Sequence, residues 1–227
     1  IVNGDGETLL PFSQEAFTIN TTNWTGTTST VWNLAGNWDN GIPTSSSLVN
    51  IPEVSTAPII TSSVDATVGN LNITETDGLT INDGSLLVKG TSSGNVTYNR
   101  TIATSNWYLI SSPVVGEDAF DVITNAGDIS TNAGGDAAIG TYNDGWTYNY
   151  SATLGSGNGY AIKKDASGNL PFTGTLQTSD IALTLLNTTD NFLLFGNPYP
   201  SYIAANTNAN SVHNILTRNT NTNQDDL

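Results

Sequence analysis

One short stretch of the chain concentrates carboxylate side chains. Glu117, Asp118 and Asp121 lie within five residues of one another. Carboxylate oxygens are the ligands that Ca²⁺ prefers in proteins, and bound Ca²⁺ would relieve part of the self-repulsion of an acidic chain. These three residues are therefore the candidate metal site, and Ca²⁺ is the one cofactor that the sequence suggests. The alternative is that the acidic charge only keeps the protein in solution.

A second candidate site is a group of tryptophans near the start of the chain. Trp24, Trp32 and Trp38 fall within fifteen residues. Exposed indole rings are favoured on binding faces, so these three predict a platform on which sugar rings stack. The alternative is structural, because Trp is highly buried on average, and it places the same rings as a cap over the open end of a β-stack.

Catalytic chemistry has little support. The single His213 is not accompanied by the G-x-S-x-G elbow of a serine hydrolase, and the absence of Cys excludes a thiolate nucleophile. A hydrolase or lyase that acts through two carboxylates needs only a facing pair, and none of the 20 acidic residues is marked as such. We therefore expect a protein that is not an enzyme.

The overall charge restricts the partners. The chain carries 20 Asp and Glu against 5 Lys and Arg, a net charge of −15. Such a field repels phosphate backbones and anionic lipid surfaces, so nucleic acid is not an expected partner. No apolar run approaches the roughly 18–20 residues of a membrane span, and we expect no membrane insertion.

Short apolar runs separated by turn residues recur through residues 48–113. Their spacing of about 8–12 residues is typical of strands in a sandwich, barrel or solenoid. Residues 116–123 predict one short helix with Phe120 on its apolar side. Strands then resume, with Asn143-Asp144-Gly145 as a hairpin turn. We predict an all-β fold, in which a short solenoid-like β-stack is followed by a jelly-roll-like β-sandwich.

The same pattern divides the chain into segments. Residues 1–19 are a linker, an entering strand or the tail of an upstream module. Residues 20–113 form the Trp-capped solenoid-like module, and residues 114–205 the β-sandwich. Residues 206–227 are rich in Asn and Thr, and we expect the chain to continue beyond them.

Near the end of the predicted sandwich stands Gly196-Asn197-Pro198-Tyr199-Pro200. Its two prolines impose a fixed extended shape, which could present Tyr199 and Tyr202 to a ligand. Alternatively, the prolines end the preceding strand and pack Tyr199 over the sandwich end.

Several motifs together carry a family resemblance. The pattern W-x-G…N-W-x-x-G-x-P in residues 24–43, Val49-Asn50-Ile51-Pro52, and the motif at residues 196–200 resemble modular secreted and cell-surface proteins of Bacteroidetes that the type IX secretion system exports. The resemblance implies an extracellular or outer cell-surface location. The sorting domain of that family is not found in these residues and is expected further along a longer chain.

These observations lead to three functional expectations. The first is a non-catalytic extracellular surface module with an adhesive, filament-forming or structural role, whose partner is another copy or a cell-surface polymer. The second is a polysaccharide-binding module of a carbohydrate-active enzyme. The third is a carboxylate-based hydrolase or lyase.

Overall fold

The computed structural model describes residues 20–75, 78–183 and 192–203, together with the backbone of two short strands near the end of the chain. The predictions for residues 1–19 and for His213 lie outside the described residues. The strands are β1 (Asn20–Asn23), β2 (Ser47–Ile51), β3 (Ile59–Thr61), β4 (Asp65–Val68), β5 (Asn70–Ile73), β6 (Leu79–Asn82), β7 (Ser85–Val88), β8 (Ser92–Ser93), β9 (Val96–Ile102), β10 (Trp107–Ile110), β11 (Ile139–Tyr142), β12 (Trp146–Tyr148), β13 (Tyr160–Lys163), β14 (Gly168–Gly174), β15 (Thr217–Asn219) and β16 (Gln224–Asp226), and the helix is α1 (Ala119–Ala126). The all-β class is confirmed.

The first half of the chain is built from parallel strands. One sheet has the order β1-β2-β5-β8, a second contains β3-β6-β9, and a third pairs β4 with β7. Two successive passes of the chain, β2-β3-β4 and β5-β6-β7, therefore lie one above the other. The pairing agrees with the all-β prediction, and the solenoid-like description of this half stays a prediction.

Strand alternation explains how the passes stack. In β2, Val49 and Ile51 are fully buried, and they pair in register with Leu71 and Ile73 of β5, which are also buried. Apolar side chains of consecutive passes thus pack on each other inside the stack, because residues two apart share one face of a strand. The alternate positions, among them Asn50 and Asn72, lie on the other face of these strands.

Asparagines form a ladder on the outer side. The Nδ2 of Asn50 donates to the Oδ1 of Asn23 at 2.8 Å, and the Nδ2 of Asn72 donates to the Oδ1 of Asn50 at 3.4 Å. The Oγ of Ser93 continues the ladder by donating to the Oδ1 of Asn72 at 2.8 Å. Stacked amides of this kind hold the parallel strands in one register.

A strand from the second half completes the stack. β14 pairs antiparallel with β9 over seven residues, from Gly168 opposite Ile102 to Gly174 opposite Val96. It covers the edge of β9 that a further parallel pass would otherwise occupy. This sheet therefore crosses the predicted module boundary between residues 113 and 114.

A four-stranded antiparallel sheet of order β10-β13-β11-β12 joins β10, which precedes the predicted boundary, to three strands of the second half. Its inner face carries Ile139, Tyr160 and Ile162, which are all fully buried. The hairpin between β11 and β12 has Asp144 in the left-handed region with φ 53°, as the Asn-Asp-Gly turn predicts. The jelly-roll-like arrangement of this half stays a prediction.

Helix α1 begins three residues later than the stretch 116–123 predicts. Asp118 is its N-cap, with its Oδ1 accepting from the backbone N of Phe120 at 2.8 Å, and Gly127 ends it with φ 74°. The sequence predicts Phe120 on the apolar side, but its side chain is 65% exposed, whereas Val122 is buried. Within the described residues, no helix has the length and apolar character needed to cross a membrane.

Candidate functional site

The three N-terminal tryptophans are part of the core. Trp24, Trp32 and Trp38 are 1%, 2% and 5% exposed. Trp38 packs edge-on between the other two, with ring centroids 5.0 Å from Trp24 and 4.8 Å from Trp32. The prediction that these rings form a sugar-stacking platform is therefore wrong, because no ring face is open to a ligand.

Hydrogen bonds fix these rings in place. The Nε1 of Trp24 donates to the carbonyl of Thr56 and the Nε1 of Trp38 to the carbonyl of Trp32, both at 2.7 Å. The buried amide of Asn37 closes the same loop, accepting from the backbone N of Ser29 at 2.9 Å. Buried indole N–H groups need such partners. The cluster acts as a structural cap of the stack.

The predicted calcium ligands are not brought together. Glu117 is buried and accepts a hydrogen bond from the backbone N of Thr173, while Asp118 caps the helix and Asp121 is exposed on α1. Among residues 20–75, 78–183 and 192–203, no group of three acidic, His or Cys side chains could hold a metal ion. The prediction of a calcium site at Glu117, Asp118 and Asp121 is thus wrong, because Glu117 is buried against the backbone of Thr173 and Asp118 caps the helix.

Burial also changes the protonation of Glu117. The pKa of its carboxyl is raised to about 7, chiefly by removal from water; the Thr173 hydrogen bond lowers the pKa, and the charges of Asp121 and Asp118 contribute to the rise. The backbone N–H of Thr173 lies in β14 and Glu117 directly precedes the N-cap of α1, so this carboxyl links the helix to the edge strand of the stack.

The exposed aromatic rings lie elsewhere, on the antiparallel sheet. Trp107 of β10 and Trp146 and Tyr148 of β12 are 40%, 42% and 47% exposed. The ring centroids of Trp107 and Tyr148 are 5.3 Å apart, and the rings of Trp146 and Tyr148 lie nearly parallel at 6.1 Å. We call these three residues the aromatic row.

Strand register explains why the rings share one face. Trp146 and Tyr148 are two residues apart in β12, so both point to the same side of the sheet. Tyr148 is paired with Gly140, which is paired with Ala161. Ala161 is in turn paired with Leu109 of β10. Leu109 is 60% exposed and lies on the same side of β10 as Trp107. Directly paired residues share a face, which places the whole row on the outer side.

Small residues in the two central strands leave room for the rings of the aromatic row to lie over the sheet. Two strands, β13 and β11, lie between β10 and β12, so the backbones of β10 and β12 are roughly 14 Å apart at the usual strand spacing. The ring centroids of Trp107 and Tyr148 are nevertheless only 5.3 Å apart. The intervening outer-face positions are Gly140 and Ala161, and Ala161 is only 4% exposed. A Cβ on Gly140 would lie 2.9 Å from Cδ1 of Tyr148. The rings therefore lean inward over these small residues of the sheet.

Polar groups border one end of the row. A cavity of about 240 Å³ is lined by Trp107 and Tyr148 and also by Asn132, Asp136 and Lys163. The carboxylate of Asp136 accepts from the Nδ2 of Asn132 at 2.8 Å and from the Nδ2 of Asn149 at 3.2 Å. These contacts hold a carboxylate and two amides in fixed positions beside flat apolar rings. An arrangement of this kind can stack a pyranose ring and hydrogen-bond its hydroxyl groups.

The sites predicted from the sequence do not include the aromatic row. Part of the row could have been found from residues that are adjacent in the sequence. The spacing Trp146-Thr147-Tyr148 directly follows an Asn-Asp-Gly hairpin turn, so both rings must lie on one face of a strand. Tyr142 precedes the turn and is paired with Trp146, with ring centroids 5.2 Å apart. What the sequence could not supply is the pairing that brings Trp107 to the same face.

The similarity to known protein families covers only part of the chain. A family model described as a domain of unknown function (DUF8693) matches residues 23–91. This segment contains the buried tryptophans and both complete passes of the parallel stack, and it ends before the aromatic row begins. No curated protein and no solved structure matches the chain.

Proposed function

We propose that this protein is a non-catalytic extracellular surface module that adheres to polysaccharide through the aromatic row. The observation that carries the proposal is the presence of Trp107, Trp146 and Tyr148 side by side on the outer face of one sheet, each at least 40% exposed. The extracellular location rests on the resemblance to exported surface proteins of Bacteroidetes.

The physical argument starts from the cost of exposing these rings. Large apolar side chains grouped on a surface favour a partner that removes them from water. Pyranose rings offer an apolar face of C–H groups with hydroxyl groups around it. Stacking on Trp107 and Tyr148 would bury both apolar faces, while each Asp136 carboxylate oxygen keeps a lone pair that can accept from a sugar hydroxyl.

The charge of the protein favours an uncharged polysaccharide. At a net charge of −15, the protein repels polymers that carry carboxylate or sulfate groups. Among the described residues that line the 240 Å³ cavity, Lys163 is the only cationic one, and Asp136 lines the same cavity. The binding surface itself thus gives no excess positive charge to attract an anionic chain.

A filament-forming role has less support, because the stack covers several of its own edges. β14 pairs along β9, the backbone N of Leu86 in β7 donates to the carbonyl of Pro200 at 2.7 Å, and the backbone N of Trp32 donates to the carbonyl of Ile59 in β3 at 3.2 Å. Covered edges do not pair readily with another chain. The same aromatic row would equally serve a polysaccharide-binding module attached to a carbohydrate-active enzyme.

Electrophoresis through gels that contain a neutral polysaccharide tests the proposal. Xyloglucan, galactomannan and laminarin are suitable polymers, and retarded migration reports binding. Trp107→Ala and Tyr148→Ala should each weaken the retardation, by roughly tenfold in dissociation constant, since each removes one stacking partner. Phe120→Ala is the matched control, because Phe120 is an exposed ring on α1 outside the row.

The possible results of this experiment either support or overturn binding at the aromatic row. Retardation that is lost in the row variants and kept in the Phe120→Ala variant supports the proposal. No retardation by any neutral polymer, or equal retardation of the wild type and the row variants, overturns it.

A further inference from the structure

We propose that the polysaccharide-binding surface continues along β10 into a second saccharide subsite, a cleft between the parallel stack and residues 197–202. The inference rests on the proposed function and adds to it: the ligand would be an extended neutral chain that occupies two subsites, rather than a single sugar or a chain end.

The second subsite is a distinct cleft of about 330 Å³. Its stack side is formed by Tyr98 and Arg100 of β9 and by Asp83, and its other side by Tyr199 and Tyr202. It combines the two kinds of group that the first subsite has, namely aromatic rings and fixed polar side chains. Tyr202 is the most accessible of these rings, at 79% exposure.

The polar groups of the cleft are held in place. Arg100 Nη1 donates to Asp83 Oδ1 at 3.3 Å, and the same oxygen accepts from the backbone N of Thr101 at 3.0 Å. The Arg100 side chain is 58% exposed, so its remaining N–H groups can reach a ligand. The pair carries no net charge, which suits hydroxyl groups better than carboxylates or phosphates.

The tyrosine wall is also fixed before any ligand binds. The Oγ of Ser111 donates to the carbonyl of Asn197 at 2.6 Å, and the Nδ2 of Asn197 donates to the carbonyl of Ser201 at 2.5 Å. The hydroxyl of Tyr199 donates to the carbonyl of Ser179 at 3.0 Å. A binding wall that is already ordered loses less conformational entropy on binding. These bonds fix Tyr199 and anchor Ser201, the residue that directly precedes Tyr202.

β10 connects the two subsites on one surface. Trp107 lines the first cavity and Leu109 lines the second cleft. The two residues are two positions apart on the same face, roughly 7 Å along the strand. Leu109 is 60% exposed, so an apolar side chain lies between the two subsites on this face. A linear chain that stacks on Trp107 can pass over Leu109 to reach Tyr202.

Ligand length tests this inference. Cello-, manno-, xylo- and laminari-oligosaccharides are titrated into the full chain by calorimetry, as disaccharides, tetrasaccharides and octasaccharides. Two linked subsites predict that affinity rises steeply with length. Tyr202→Ala and Arg100→Gln should each weaken octasaccharide binding by roughly fivefold and leave disaccharide binding at the aromatic row unchanged. Trp107→Ala should weaken binding at every length.

The controls distinguish failure of the second subsite from failure of the proposed function. Phe120→Ala should behave as wild type at all lengths. Binding that depends on Trp107 but is equally strong for the Tyr202→Ala and Arg100→Gln variants with octasaccharide overturns the second subsite and leaves the aromatic row intact. Absence of binding by every oligosaccharide and by the parent polymers overturns both.

Discussion

At the scale of single residues, Glu117 is a buried acid whose main role is to tie α1 to β14. It directly precedes the helix N-cap, and its Oε2 accepts from the backbone N of Thr173. Because burial raises the pKa of Glu117 to about 7, the folded protein binds this proton more tightly than the unfolded chain does. Its contribution to stability is complete below the unfolded pKa of about 4.5 and is lost as the pH rises through about 7.

Glu117→Gln should remove this pH dependence. The glutamine keeps an oxygen acceptor for Thr173 and does not ionise. We expect the free energy of unfolding of the wild type to fall by on the order of 1–2 kcal/mol between pH 5 and pH 8 relative to the variant. Urea denaturation at both pH values measures this difference in the free energy of unfolding. Asp65→Asn, at an exposed position, is the control. Parallel pH profiles for wild type and Glu117→Gln would refute this role.

Lys164 is a second buried residue whose hydrogen bonds stabilise the fold. Its side chain is 2% exposed, and its Nζ donates to the Asp128 carboxylate and to the carbonyls of Asn169 at 3.0 Å and Ala126 at 3.4 Å. Ala126 is the last residue of α1, so the ammonium also lies at the negative end of the helix dipole.

Lys164→Met should lower the free energy of unfolding by roughly 3 kcal/mol, because it leaves the carboxylate and two carbonyls without their donor while keeping the length of the side chain. Thermal and urea denaturation measure the loss. Lys89→Met removes the same charge at an exposed position and should change stability little. Equal stability of the two variants would contradict the account.

At the scale of elements, the asparagine ladder should fix the register of the parallel strands. Asn50 is its central member, because it donates to Asn23 and accepts from Asn72. Asn50→Asp removes the donor to Asn23 and places a charge beside the amide oxygen that accepted it. We expect a loss of about 1 kcal/mol in urea denaturation. Asn106→Asp makes the same change in an exposed turn and should be neutral within error, and an equal effect at both positions would argue against the ladder.

The antiparallel sheet makes a separate prediction about Gly140. A Cβ there would lie 2.7 Å from the carbonyl of Thr147 and 2.9 Å from Cδ1 of Tyr148, so Gly140→Ala should displace the Tyr148 ring. We expect weaker retardation in polysaccharide gels, by about threefold to tenfold, together with a loss of stability, because the Thr147 carbonyl belongs to the backbone of β12. Gly36→Ala is the control, since Gly36 also lacks a positive φ and its Cβ would lie 2.9 Å from Thr28 Oγ1, away from the aromatic row. Unchanged retardation of the Gly140→Ala variant would show that the ring does not need this packing.

At the scale of the whole molecule, the strand pattern was readable from the sequence and the site was not. Apolar alternation in β2 and β5 and the turn at Asn143-Asp144-Gly145 are local signals, and both appear in the structure. Whether a tryptophan is buried depends on partners distant in the chain. Trp24 is covered because Trp38 and Thr56 close over it, and Trp107 joins Tyr148 only through the order of four strands.

Tryptophan emission of the intact chain is the measurement that tests the central claim most directly. Trp24, Trp32 and Trp38 are buried, so a polymer that touches the surface can act only on Trp107 and Trp146 among the five tryptophans. Titration with xyloglucan, galactomannan or laminarin should give a saturable change in wild-type emission that disappears in the Trp107→Phe, Trp146→Phe double variant. Unchanged emission with every polymer, or the same saturable change in the double variant, would contradict binding at the aromatic row.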